Sequence, residues 1–196
     1  MKPSAQVQAV IEALADIWGS FTPADKVLEA FFRTRRYMGS GDRRKVTEAV
    51  WRILRHRARL AFALNLEPEV VTAEHSRLMV ATDLALGGEN PADFFTGEKY
   101  APAPLADDEL AKLENLNRGD YPPHIRFELP AWLYARMSAS EADLTELLAE
   151  APFDLRVNTL KASRPELLAE LAELGLKVEP TPHSASGIRA FSRVPT

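Results

Sequence analysis

The apolar residues of this chain change their period once, and that change limits what it can fold into. Val7, Val10, Ile11, Leu14 and Trp18 recur at the spacing of one helical face. The same spacing returns in Val46, Val50, Ile53, Leu60, Ala61 and Leu64, with Leu54 at the edge, then in Leu78, Ala81, Leu84 and Ala85, and again in Leu110, Leu113 and Leu116. Nothing before Arg118 reads as a strand. At Phe153 the pattern becomes two-fold: Phe153, Leu155 and Val157 alternate with Asp154, Arg156 and Asn158. The expected fold class is therefore mostly α, a helical bundle followed by the start of a small α/β subdomain of βαβ type.

Local signals place the boundaries. Gly19 can end the first helix, and Thr22-Pro23-Ala24-Asp25 reads as the start of a second, with Thr22 as cap and Pro23 at the first helical position. Gly39 and Gly41 interrupt the chain before a third helix, expected to start with Asp42 as its cap and to run on to Asn65. Thr72 can cap a fourth helix stopped by Gly87-Gly88, Asn90-Pro91-Ala92-Asp93 a short turn carrying Phe94 and Phe95, and Asp107 or Asp108 opens a further helix. Pro122, Pro123 and Pro130 forbid one continuous helix, so 121–150 reads as a connector between a helical domain, 1–120, and a partial α/β subdomain, 151–196. In the latter, Ser163-Arg164-Pro165-Glu166 is a capping box, Gly175 ends its helix, and Leu176–Glu179 and Gly187–Phe191 read as strands.

The third helix carries the chemistry. Between Arg33 and Arg59 stand ten Lys and Arg against only Asp42 and Glu48, whereas the remainder of the chain holds 14 basic residues against 26 acids. On a helical wheel Lys45, Arg52, His56 and Arg59 form a stripe turned away from the apolar one, flanked by Arg44 and Arg55. Arg43, Arg44 and Lys45 fall in a first turn, where cations oppose the helix dipole, so local helix stability does not account for them. Such a run is either a solvated face or a phosphate-binding surface; the charge asymmetry favours the second. Arg57 points into the apolar stripe, where it must pair or snorkel.

Bulk properties remove other classes. In 196 residues there is no cysteine, which excludes disulfides, thiolate metal sites and a cysteine nucleophile within this sequence. His56, His75, His124 and His183 show no ligand spacing, so no metal is expected. The N-terminus carries acids and lacks an uninterrupted apolar run, which points away from a signal peptide or membrane span and towards a cytoplasmic protein. A net charge of −4 favours localised contact with nucleic acid through the basic patch over general coating.

The run from Arg35 through Arg36-Tyr37-Met38-Gly39-Ser40-Gly41-Asp42-Arg43-Arg44-Lys45 to Val46, followed by Glu48 to Arg55, resembles the NusB-like RNA-binding helical domain. Ala151-Pro152-Phe153-Asp154-Leu155-Arg156-Val157-Asn158-Thr159-Leu160-Lys161, with Pro182-His183-Ser184 and Gly187-Ile188-Arg189, resembles the segment that precedes the catalytic domain in the Nol/Nop/Sun family of RNA cytosine-C5 methyltransferases. In this order, joined by Leu129-Pro130-Ala131-Trp132-Leu133, they look like the N-terminal half of RsmB-type 16S ribosomal RNA methyltransferases.

The resemblance implies a helical domain that helps hold ribosomal RNA and an α/β segment that packs beside a Rossmann-like domain. That domain would bind S-adenosylmethionine and supply two cysteines, one of them the nucleophile. No position here matches the nucleophile or a glycine-rich cofactor turn. The catalytic methyltransferase domain is thus expected as a missing partner, with no cofactor or catalytic residue in this chain. What carries over is RNA contact, at Arg35, Arg36, Arg43, Arg44, Lys45, Arg52, Arg55 and Arg59. Arg156, Asn158 and Lys161 either meet RNA or the absent domain, or hydrogen-bond locally at a strand end. The rival reading is a NusB-like protein-interaction or antitermination-type module whose basic face docks an acidic partner.

Overall fold

A computed structural model of the chain describes residues 1–149 and 151–191 and divides it into two compact units, Met1–Ser140 and Glu141–Thr196. The division falls inside the stretch 121–150.

The first unit is helical. α1 (Pro3–Trp18) opens with proline at its first position, where no amide partner is lost, and buries Ala9, Val10, Ala13, Leu14 and Ile17. It packs against α2 (Ala24–Thr34), α3 (Ser40–Arg55) and α5 (Ser76–Leu86), so α1, and not the basic helix, is the centre of the bundle. The core between them includes Leu14, Val46, Val50, Ile53 and Met79, all fully buried. α5 is buried on nearly every side, since Leu78, Met79, Val80, Ala81, Thr82 and Leu84 are all enclosed.

Three start signals moved, among them Thr72, which takes the cap position of the short turn Ala73–His75 while α5 itself begins at Ser76. α2 begins at Ala24 with Pro23 in the cap position, and Thr22 contributes no side-chain cap; its own amide instead donates to Ser20 Oγ at 2.9 Å. α3 begins at Ser40 behind Gly39, which leaves Asp42 inside the first turn. The helix expected to reach Asn65 breaks at His56, and α4 (Arg57–Ala63) continues in a new direction. Asn90 does cap its turn, accepting from the Ala92 amide at 3.2 Å. α6 (Asp107–Glu114) starts at the expected acid. The three prolines of the connector mark the starts of two single helical turns, α7 (Pro123–Arg126) behind Pro122 and α8 (Ala131–Tyr134) behind Pro130. Ile125 and Phe127 are buried, so this stretch is packed and not a free linker.

The second unit holds α9 (Glu141–Leu148), β1 (Phe153–Arg156), α10 (Arg164–Glu173), β2 (Val178–Pro180) and β3 (Gly187–Ala190). The strands form one sheet in the order β1-β3-β2, with β3 antiparallel to both neighbours. The expected mostly α fold with a small α/β part is the fold observed. One detail differs: β1 and β2, joined through α10, are not adjacent, because β3 lies between them. This is the split form of the βαβ unit. Leu155 pairs with Ile188 and Val178 with Ala190, which puts the apolar side chains on one face against Leu167, Leu168 and Leu171 of α10. Ser163 and Glu166 form the expected capping box at the start of α10. After that helix Gly175, at φ +78°, takes the left-handed turn that glycine adopts most readily.

Candidate nucleic-acid interface

The basic stretch separates into residues that hold the fold and residues that face solvent. Asp42, three positions into α3, accepts from the Met1 α-ammonium at 3.0 Å and from Gln6 Nε2 at 2.7 Å. The Gln6 hydrogen bond and the ammonium hold its carboxyl below the usual range. Arg43 turns back to donate to the Met38 carbonyl at 2.9 Å and lies over the Phe32 ring. Arg35 pairs with Glu12 at 2.8 Å while its guanidinium stacks 3.6 Å from the Phe31 ring centre. Arg52 forks onto Asp83 of α5, with its closest contact at 2.6 Å.

Glu128 explains the break at His56. Its carboxylate accepts from the Ala58 amide at 2.7 Å, from the Arg59 amide at 3.3 Å and from Arg59 Nε at 2.8 Å. A helix start leaves orphan amides, and here a side chain remote in sequence satisfies two of them. Burial raises the Glu128 carboxyl, opposed by the Arg59 hydrogen bond and the Ala58 amide. Sequence reading missed this residue, since 69 positions separate it from Arg59 and no local motif marks it. Asp83 was missed for the same reason. Arg57, the expected misfit, donates through Nη2 to the Pro68 carbonyl and keeps Nε buried without a partner among the described residues.

Arg52, His56 and Arg59 line one cavity of about 430 Å³ together with Asp83, Glu89 and Tyr121. Arg59 Nη2 lies 2.6 Å from His56 Nδ1. Guanidinium has no acceptor, so Nδ1 must accept, and the ring is neutral with its proton on Nε2. Burial, followed by the charge of Arg59, depresses the His56 pKa, with Asp83 pulling the other way. The unfolded chain then binds this proton more readily than the folded one. Stability present above pH 6.5 should fall as pH drops below it and the ring is forced to charge. A His56→Gln variant should show a flatter dependence of its urea midpoint between about pH 8 and pH 5; an unaltered slope would exclude His56 as its source. Glu128 shifts in the opposite sense, so the comparison with wild type isolates the histidine.

Arg44, Lys45 and Arg55 remain on the exposed surface of α3, and Arg36 is exposed in the turn before it. Arg44 has only an exposed ion pair with Glu48 at 3.7 Å, a geometry of little energetic weight. Arg36, Lys45 and Arg55 have no side-chain hydrogen bond or ion pair among the described residues.

In the second unit Arg156 is exposed at the end of β1, opposite Gly187. Asn158 bonds locally, its Oδ1 accepting from the Leu160 amide at 3.2 Å, and Lys161 is exposed. The polar face of this sheet is tied across strands by Arg189 and Asp154 at 2.8 Å. The sheet is antiparallel, and the Glu166 amide in the first turn of α10 donates to Ser163 Oγ, with no glycine-rich turn ahead of that helix. Among the described residues no helix is long and apolar enough to cross a membrane.

Residues 129–196 match the family model of the RsmF/B-like methyltransferase ferredoxin-like domain. The crystal structure of PH0851 matches 100% of this chain and 50% of its own, with a TM-score of 0.54 and 17% identity, a likeness of fold alone. This chain thus spans about half the length of that protein. No curated protein matches it. Residues 129–196 are thus similar to the ferredoxin-like domain of RsmF/B-like methyltransferases, and the likeness to PH0851 adds a similar fold over the whole chain.

Proposed function

We propose that this chain is the RNA-binding N-terminal region of an S-adenosylmethionine-dependent 16S ribosomal RNA cytosine-C5 methyltransferase, acting in the cytoplasm. Its NusB-like helical unit holds RNA and does not itself transfer methyl groups. The observation that carries this reading is the exposed set Arg44, Lys45 and Arg55 on α3. Arg44 and Arg55, eleven residues apart, stand within about 20° of one another on the helix, and Lys45 lies about 100° round from Arg44. Arg44 and Lys45 sit near the helix start, where the dipole disfavours positive charge. Phosphates would offset that cost and release counterions as they do so. Methyl transfer would fall to a partner domain that binds S-adenosylmethionine and supplies the cysteines this chain lacks.

Binding to a 16S ribosomal RNA fragment across a salt series tests the reading. Arg52 and Arg59 are poor probes, since both hold internal acids and their loss would disturb the fold. The triple variant Arg44→Ala, Lys45→Ala, Arg55→Ala should bind about tenfold more weakly at low salt, with a log–log salt slope shallower by about 2. Wild-type affinity and slope in that variant would remove the patch from RNA binding and favour a protein partner for the basic face.

A further inference from the structure

A second cavity lies away from the basic stripe. It has a volume of about 750 Å³ and is bounded by Lys2 just ahead of α1, by Ala5 and Ala9 of α1, by Tyr37 in the turn between α2 and α3, and by Lys99 and Tyr100 of a later loop. Tyr37 and Tyr100 are each 72% exposed. A large aromatic ring left open to water forgoes the burial that normally stabilises it, and here two of them wall one apolar hollow.

The loop that presents Tyr100 is held in place. The Gly97 amide donates to the Pro102 carbonyl at 2.8 Å, and Arg77 Nη2 donates to the carbonyls of Ala103 and Pro104 at 2.7 and 2.8 Å. Tyr100 itself sits at φ +70°, a left-handed conformation that is an outlier for a bulky side chain. Strain of this kind persists only where the surroundings enforce it, and it concentrates at ligand sites. Charge completes the picture. Lys99 Nζ stands 5.0 Å from the Tyr100 ring centre, and Lys2 is at the rim, shared with Glu98. The acid that lines the cavity, Glu12, is already paired to Arg35.

Small alanines on one side, two aromatic walls and a cationic rim suit a flat, apolar-faced ligand that carries negative charge. Resting on the RNA-binding reading above, we infer that Tyr37 and Tyr100 form a stacking subsite for an unpaired nucleobase of the bound RNA, with Lys99 and Lys2 beside its phosphate. Base–aromatic stacking tolerates any base and contributes strongly to single-strand affinity. Arg36, next to Tyr37 in the turn before α3, is also exposed.

The test uses the full chain, a single-stranded uridine oligomer and an abasic oligomer of the same length and charge. Wild type should prefer the uridine oligomer by about tenfold. The exposed double variant Tyr37→Ala, Tyr100→Ala should lose that preference while still binding the abasic chain, and Tyr37→Phe, Tyr100→Phe should keep it, since the ring and not the hydroxyl does the stacking. The triple variant of Arg44, Lys45 and Arg55 should instead weaken both oligomers alike. If wild type binds both oligomers equally, or the alanine variant retains the preference, the subsite is overturned and RNA binding through α3 stands. If wild type binds neither oligomer nor the ribosomal fragment, both readings fall together.

Discussion

Replacing Glu128 by alanine should destabilise the helical unit by about 3 kcal/mol. Its side chain is only 9% exposed and accepts three hydrogen bonds, two from backbone amides at the start of α4 and one from Arg59 Nε. The alanine variant would leave those amides without acceptors in a poorly solvated place and a guanidinium without its counter-ion. Loss of a helix cap alone costs about 1 kcal/mol; the stranded, partly buried charge accounts for the larger total. Because Arg59 is 30% exposed, water recovers part of its hydration, which keeps the figure below that of a wholly buried pair. Urea unfolding followed by tryptophan fluorescence would report the loss, with Trp18 and Trp51 both packed on this unit's core. Glu128→Gln, which retains an acceptor oxygen, should lose less. A midpoint unchanged in Glu128→Ala would mean that the bend at His56 does not depend on this carboxylate.

Ile188→Ala should have the largest effect of any single change in the second unit, about 2–5 kcal/mol. Ile188 is 0% exposed at the centre of β3, between Leu155 of β1 and Pro180 of β2. Among the described residues Val157, Leu171 and Ile188 are the buried centre of this cluster, with Leu155, Leu167, Leu168, Leu176 and Val178 packed around it, so a void at Ile188 opens in the middle of the unit's core. Three short strands and one covering helix sit near the limit of what folds alone, and a loss of this size should unfold the unit. Hydrogen exchange resolves the outcome by region: amides of β1, β2 and β3 should lose protection while those of α1, α3 and α5 keep theirs. Protected strands in the variant would show that Ile188 is not the keystone its burial indicates.

The contrast between these two residues shows what was legible in the sequence. Ile188 lies in a segment whose strand character is local, read from Gly187 to Phe191, and its burial follows from the side on which β3 meets α10. Capping at Ser163–Glu166 and at Asn90 was legible for the same reason, because donor and acceptor lie within a few residues of each other. The helix starts at Thr22 and Asp42 were misplaced because Pro23 and Gly39 take those cap positions; the Asp42 carboxylate bonds Met1 and Gln6 instead, and Thr22 is engaged through its backbone amide. The break at His56 was invisible: the apolar period runs straight through it, and the group that bonds the amides there is an acid two residues beyond the end of α7.

By itself the sequence determined the fold class, the concentration of cations on α3 and the absence of a cysteine nucleophile, since composition and periodicity depend only on near neighbours along the chain. Which of those cations are available to a partner was decided by tertiary structure alone. Arg35, Arg52 and Arg59 meet Glu12, Asp83 and Glu128, each more than twenty residues away, and are paired within the fold, although Arg52 keeps an exposed side chain. Arg44, Lys45 and Arg55 keep the exposed surface. The aromatic pair Tyr37 and Tyr100 likewise exists only in three dimensions, because packing of distant elements on α1 brings a turn and a loop to one cavity, and no local pattern encodes that meeting.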